Sequence, residues 1–193
     1  MSRKLIYDAE MAIRSNDVEK IKDVFSDGKL DVNTTLFNNC YYPLYHCVLV
    51  GKYEGFKTIL ELIGKPIEEI KTSIYDDTEL KGFTNYYSAG RNDIEMLKFI
   101  WNSNLKRDIN ELSLAIQDAI RTKKDENIDF ILSNVDNTAE VAQHGLFSAV
   151  RLYPQVLPKL VSYGADPNSN MPNVKYSAIW LANRDGHKTT SKK

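Results

Sequence analysis

The sequence predicts an all-α protein built by stacking short helix–turn–helix units, and three columns of residues in one register predict it. The first column is a turn position held by Asn16, Gly51, Asn92, Lys123, Leu152 and Gly186, at spacings of 35, 41, 31, 29 and 34 residues. Four residues before each turn, where two helices must approach closely, stand Ala12, Cys47, Ser88, Ala119, Ser148 and Ala182, all of them small. Five, eight and nine residues past the turn every position is apolar. The sets are Ile21, Val24 and Phe25; Phe56, Ile59 and Leu60; Leu97, Ile100 and Trp101; Ile128, Ile131 and Leu132; Leu157, Leu160 and Val161. Such spacing lays them on one face of a second helix. The intervening sixth position holds Lys22, Lys57, Lys98, Asp129 and Pro158, as a solvent face should.

The residues around the second turn carry a family resemblance. The segment YPLYHCVLVGKYEGFKTIL, Tyr42 to Leu60, resembles an ankyrin repeat, in which T-P-L-H-x-A opens the first helix and a glycine turn leads to the second. Pro43 and Leu44 match that motif, Tyr45 replaces its histidine, Cys47 takes the small-residue place and Gly51 makes the turn. Asn16 to Asn33 and Asn92 to Asn102 resemble the back half of a repeat, and SYGADPNSN from Ser162 resembles its closing G-A-D-x-N. The resemblance implies an ankyrin-repeat solenoid of helix–turn–helix units with short finger loops. It would form a single domain over 1–188, with copies near 5–33, 34–70, 71–106, 107–135, 136–168 and 169–188, then a polar tail at 189–193.

The departures from that pattern carry expectations of their own. Only the second copy holds a near-complete T-P-L-H segment. The 41-residue spacing places an insertion around Gly64–Gly82, read as an enlarged finger. Pro154 suits the first turn of a helix, whereas Pro158 lies further in and should shorten or kink it. The first copy starts near Tyr7, as an N-terminal cap would. The last copy is a half-repeat with a first helix carrying Ile179 and Trp180. Trp180 there either closes the core or leaves apolar surface for self-association or a partner.

Composition bounds the function. With 42% hydrophobic and 26% charged residues and a net charge of -1, the chain reads as one globular domain, neither disordered nor membrane-embedded. No apolar run approaches the roughly 20 residues that span a bilayer, and the N-terminus has no signal-peptide core. The expected location is therefore cytoplasmic, in its own cell or a host's. The charge splits mildly, with 12 Lys+Arg against 16 Asp+Glu in residues 1–96 and 13 against 10 in residues 97–193. Such a split does not by itself indicate nucleic acid. Cys40 and Cys47 are too few for a disulfide framework or four zinc ligands, and read as free thiols.

Phosphate-loop, dinucleotide, zinc-protease and nucleophile-elbow motifs are all missing. His46 beside Cys47 suggests a base and nucleophile, yet neighbours on a helix point about 100° apart and Cys47 stands in the buried column. Asp76, Asp77 and Glu79 read as a solvated loop. The expectation is a non-catalytic chain with no metal and no cofactor.

In ankyrin proteins the finger tips and the ends of the first helices line one concave face. Position by position, that resemblance assigns finger contacts to Asn38, Asn39 and Tyr41, to Glu79, Leu80 and Gly82, and to Asn110, Glu111 and Ser113. It assigns helix-end contacts to Arg14 and Ser15, Leu49 and Val50, Gly90 and Arg91, Arg121 and Thr122, Val150 and Arg151, and Arg184 and Asp185. Five of these six pairs contain an arginine, although the chain has only seven. Arg14, Arg91, Arg121, Arg151 and Arg184 would thus form a ladder broken at Leu49 and Val50. Guanidinium forks suit carboxylates and phosphates, although cations near helix ends also offset the helix dipole. Tyr41 is the foremost aromatic contact of a patch with Phe37, Tyr42, Tyr75, Phe83, Tyr86 and Tyr87, of which Tyr42 and Phe83 read as core.

The expected function is a protein-binding module acting by occupancy, as inhibitor, adaptor or decoy, on a partner with an acidic segment. The degenerate, Asn-, Lys-, Ile- and Tyr-rich repeats resemble viral or intracellular-bacterial ankyrin proteins aimed at host or defence factors. The alternative is a stack that captures a nucleotide or oligonucleotide on the arginines, with tyrosines stacking on bases.

Overall fold

A left-handed residue closes the turn in three of the four described helix pairs; the fourth turns at Tyr153, which is extended instead, with φ -151°. Asn16, Gly51 and Lys123, three of the sequence's turn positions, have φ of 58°, 69° and 58°. Each lets the chain fold back on the preceding helix in the Schellman pattern. Asp17 donates its N–H to the Ala12 carbonyl at 3.0 Å, Lys52 to Cys47 at 2.9 Å and Lys124 to Ala119 at 2.9 Å. The acceptors are the small column itself. A residue four before the turn therefore supplies the closing carbonyl, and its short side chain leaves room for the returning helix.

The computed structural model describes residues 3–26, 29–36, 42–70, 92–104, 109–170 and 176–184. Among them stand ten α-helices. They are α1 (Arg3–Ser15), α2 (Val18–Phe25), α3 (Pro43–Val50), α4 (Tyr53–Ile63) and α5 (Ile94–Trp101), followed by α6 (Ile109–Arg121), α7 (Asp125–Asn134), α8 (Thr138–Leu152), α9 (Leu157–Ser162) and α10 (Ala178–Arg184). No β-strand occurs among the described residues, where one isolated bridge joins Asn170 to Ser177. The chain is all-helical there, and no described helix is long and apolar enough to cross a membrane.

Helices pack within pairs and between like members of successive pairs. Within pairs, α1 meets α2, α3 meets α4, α6 meets α7 and α8 meets α9. Between pairs, α1 meets α3, α2 meets α4, α5 meets α7, α6 meets α8 and α8 meets α10. The apolar column accounts for this packing. Ile21, Phe56, Ile59, Leu97, Ile128, Ile131 and Leu160 are fully buried, and Val24, Phe25, Ile100, Trp101, Leu132 and Leu157 nearly so. Two clusters share this core. Helix α5 joins them, giving Met96 and Ile100 to the N-terminal cluster and Leu97 and Trp101 to the C-terminal one. Phe99 adds an edge contact to Phe56 at 5.5 Å between ring centres.

Asparagines bridge one pair to the next. Asn16 Oδ1 accepts from the Gly55 N–H at 2.9 Å, satisfying a first-turn donor of α4 whose own N-cap residue, Lys52, makes no side-chain cap. Buried Asn92 donates to the Val48 carbonyl at 3.0 Å, and buried Asn127 donates to the Asn92 carbonyl at 3.3 Å. On the solvent face, three and six residues past the turn, the pairs Glu19–Lys22, Glu54–Lys57 and Glu95–Lys98 recur at 3.3, 3.1 and 3.3 Å. Each exposed pair contributes only about 0.3–0.5 kcal/mol, but all three keep one register.

Several expectations are corrected. Helix α1 begins at Arg3 rather than near Tyr7. Asn110, Glu111 and Ser113 are not finger residues: they lie inside α6, where Glu111 and Ser113 are buried. Only Val135, Asp136 and Asn137 separate α7 from α8, so no finger stands there either. With no proline to start a later helix, the apolar spacing of Leu112, Ala115, Ile116, Ala119 and Ile120 carries α6 through the finger position. In the fifth copy the buried small residue is Ala149, not half-buried Ser148. There Tyr153 N–H donates to the Ala149 carbonyl at 2.9 Å as an ordinary last-turn helix bond, without the left-handed reversal of the other turns. The turn falls one residue later than Leu152, and Val161, assigned to the core, is 42% exposed. The expected shortening around Pro158 is seen, but the α-helix starts after Pro154 and holds Pro158 in its first turn rather than further in. Pro154 opens a 3-10 turn, Pro154–Val156, and Pro158 sits in the first turn of α9, which is only six residues long.

Gly145 lies mid-helix in α8, where glycine costs about 1 kcal/mol relative to alanine. A Cβ there would stand 2.8 Å from Ile120 Cδ1 and 3.3 Å from Ile116 Cγ1, so its absence lets α8 lie close on α6. Of the 64–82 insertion, residues 64–70 are described: Gly64 (φ 65°) ends α4, and a 3-10 turn, Ile67–Glu69, follows, with Ile67 buried. The rest of the insertion lies outside the described residues.

The turns make a paired prediction. Lys123→Gly removes left-handed strain and should raise unfolding free energy by about 0.5–1 kcal/mol. Asn16→Gly relieves the same strain but orphans the Gly55 N–H, and should lower it by about 1 kcal/mol. Urea titration of both variants reads the two signs, and equal signs would contradict the bridging role of Asn16.

Candidate functional site

The first helices place the sequence-derived binding residues at their C-terminal ends. Arg14 and Arg121 stand two residues before their turns, as does Leu49. With the fifth turn moved to Tyr153, Arg151 joins the same position. A one-residue shift thus brings Arg14, Arg121 and Arg151 into one column, the column in which the sequence register also puts Arg184. Asn38, Asn39, Tyr41 and Arg91 lie outside the described residues, as do Phe37, Cys40, Gly90, Asp185 and all of 71–91.

The surroundings of the described members differ. Arg14, at the end of α1, faces His46 of α3 closely enough to act on its titration. Leu49 is half-buried. Arg121 pairs with Asp118 one turn earlier, its own side chain 48% exposed and that of Asp118 only 2%. Arg151 is exposed and forms no ion pair among the described residues. Arg184 stands 5.6 Å over the ring of Trp180, which stacks on Tyr176 at 4.0 Å and 12°. Those rings are 43% and 46% exposed. Trp180 therefore does not close the core; Ala178, Leu181 and Ala182 of α10 do so.

Where α6 lies on α8, a cleft of about 150 Å³ opens between Leu114, Gln117, Asp118 and Arg121 of α6 and Ser148 of α8. Of these, only Arg121 is among the residues the sequence points to. A signal for the others exists in the register. Leu114 and Asp118 stand nine and five residues before the turn, the positions of Tyr7 and Met11 on α1, and Tyr7, Met11 and Leu114 are all exposed. Ser148, in the corrected register, also stands five before its turn, like His46. At the α1–α3 and α6–α8 junctions, an arginine two before one turn lies beside the residue five before the next: Arg14 beside His46, and Arg121 beside Ser148.

His46 and Cys47 do not make a reactive pair. Burial drives the His46 imidazole down to about 4, with the Arg14 charge adding to the shift. Burial also pushes the Cys47 thiol well above its ordinary range, the reverse of what a thiolate nucleophile requires. No protein-family model matches the chain, and no curated protein matches it in sequence.

Two measurements follow. His46 has a folded value of about 4, below its ordinary 6.5, so the unfolded state takes up the proton first. Its contribution to stability is whole above about pH 6.5 and is lost as pH falls toward 4. Between pH 7 and 5 the wild type should lose more denaturation free energy than His46→Leu; parallel losses would refute the burial. Separately, Arg121→Ala leaves the Asp118 carboxylate buried without its partner and should cost about 1–3 kcal/mol. Arg151→Ala should fall within about 0.5 kcal/mol of wild type by thermal unfolding.

Proposed function

We propose that the chain is a divergent ankyrin-type stack that works as a non-catalytic protein-binding module, holding a partner against the exposed face of its first helices. The observation that carries this reading is the repetition of one surface. Exposed Tyr7 and Met11 precede Arg14 on α1, and exposed Leu114 precedes Arg121 on α6, each in the same register. Apolar groups set beside guanidinium forks at a regular spacing suit recognition of an extended or helical segment. The family assignment rests on the left-handed turns, the small column and the pairwise packing of like helices, since the fingers that mark ankyrin repeats are replaced by helix in α6 and α8. Arg151 is the rung best suited to meet a carboxylate of an acidic partner segment. A host or defence factor, met in the cytoplasm, fits the sequence resemblance stated above.

A second reading, capture of a nucleotide or oligonucleotide, is favoured by one feature alone: the exposed Tyr176–Trp180 stack with Arg184 beside it.

Selection of displayed peptides against the whole chain separates the two. The protein-binding reading expects peptides whose affinity falls about tenfold or more in a Leu114→Glu, Arg151→Glu variant of unchanged thermal stability. Peptides indifferent to both substitutions would overturn it. The nucleotide reading expects quenching of tryptophan fluorescence by single-stranded oligonucleotide, weakening steeply with salt; salt-independent or absent quenching removes it.

A further inference from the structure

The cleft between α6 and α8 holds a buried acceptor with no partner. Asp118 Oδ1 pairs with Arg121, but Oδ2, shut off from solvent, accepts no hydrogen bond among the described residues. A carboxylate oxygen in that state is costly. It lies on a helix face where the equivalent residue of α1 is exposed Met11, so packing alone does not call for it. Arg121, half exposed, stands one helical turn on and covers the carboxylate; Gln117 and Ser148 line the same cleft and carry hydrogen-bond donors.

We propose that this cleft seats the primary carboxamide of an asparagine or glutamine side chain from a bound partner segment. The carboxamide NH2 donates to Asp118 Oδ2 while Arg121 keeps its hold on Oδ1, and its carbonyl accepts from Gln117 or Ser148. Charge selects the group. Asp118 and Arg121 together are neutral, so a carboxylate occupant meets Asp118 and has no proton to give, while an ammonium or guanidinium meets Arg121. A planar amide carries donor and acceptor side by side with no charge. The cleft, about 150 Å³, has room for one such side chain, and Leu114 offers its methylenes an apolar wall. This inference rests on the protein-binding reading and narrows it, because it places a neutral residue, not an acidic one, at the Arg121 rung.

The test is an amide-resolved NMR titration of the full chain with three probes: N-acetyl-glutamine methylamide, its glutamate counterpart and its arginine counterpart. The glutamine probe should give saturable shifts at residues 114–121 and 148, and the other two should not. Asp118→Leu should weaken that binding by about tenfold or more. Gln117→Ala, which leaves the Asp118–Arg121 pair in place, should weaken it in the same direction if the first variant fails to fold. Saturation by the arginine probe, or by none of the three, overturns the inference. The broader reading is judged apart from it. Displayed peptides that depend on Leu114 and Arg151 but not on Asp118 would leave the module standing and remove the carboxamide, whereas peptides indifferent to all three would remove both.

Discussion

The inter-helix turn is the constraint on which the rest of the structure depends. A residue forced into the left-handed region reverses the chain, and the carbonyl four residues before it closes the reversal. That carbonyl belongs to Ala12, Cys47 or Ala119, each essentially without exposure, because any longer side chain there would hold the second helix off. Glycine meets the demand at Gly51 without strain. Asn16 and Lys123 meet it at a cost, and Asn16 offsets that cost by capping α4 in the next pair. The same residue thus shapes one turn and ties two pairs together. Asn92 and Asn127 continue the tie by spanning pairs with buried side-chain bonds.

Those ties matter because no helix pair here has a core of its own. The described core falls into two clusters that meet at α5, whose adjoining faces serve one each. Helices α6 and α8 are the longest interface among the described helices, and Gly145 sets how closely they approach. Close approach at Gly145, with Asp118 and Ser148 toward the helix ends, leaves the cleft. The candidate site is therefore a product of the same packing that builds the stack.

Much of this was legible in the sequence, because small size, apolarity and turn preference are one-dimensional signals that repeat. The column at five, eight and nine past the turn is buried throughout in the first, third and fourth copies, with Leu60 of the second half-buried. It failed at Val161, where Pro154 and Pro158 break the second helix into a 3-10 turn and a short α-helix, and where the turn itself is displaced. The fingers failed for a different reason. Their place in α6 was assigned by family register, while the apolar spacing from Leu112 to Ile120 already favoured continuous helix. The arginine column was visible, and the displaced fifth turn improves it by aligning Arg151. Its chemistry was not visible. The imidazole beside Arg14 comes from the next helix pair. Although Asp118 and Trp180 stand within four residues of their arginines, their burial is set by packing across pairs, so no local pattern reports the open acceptor on Asp118.

The face that carries the arginines is less uniform than a ladder. One rung sits by a neutral imidazole, one is paired, one is open and one lies on an aromatic stack. Under the proposed binding role, a partner would meet a different chemistry at each step, and such differences set specificity. All of it presumes that successive pairs are locked in register by the turn residues. Native-state hydrogen exchange at the Gly55 amide tests that most directly. With Asn16 in place, this first-turn amide should exchange with the slow, globally protected class, alongside Lys52 and Lys124. Exchange as fast as an uncapped helix N-terminus would contradict the account.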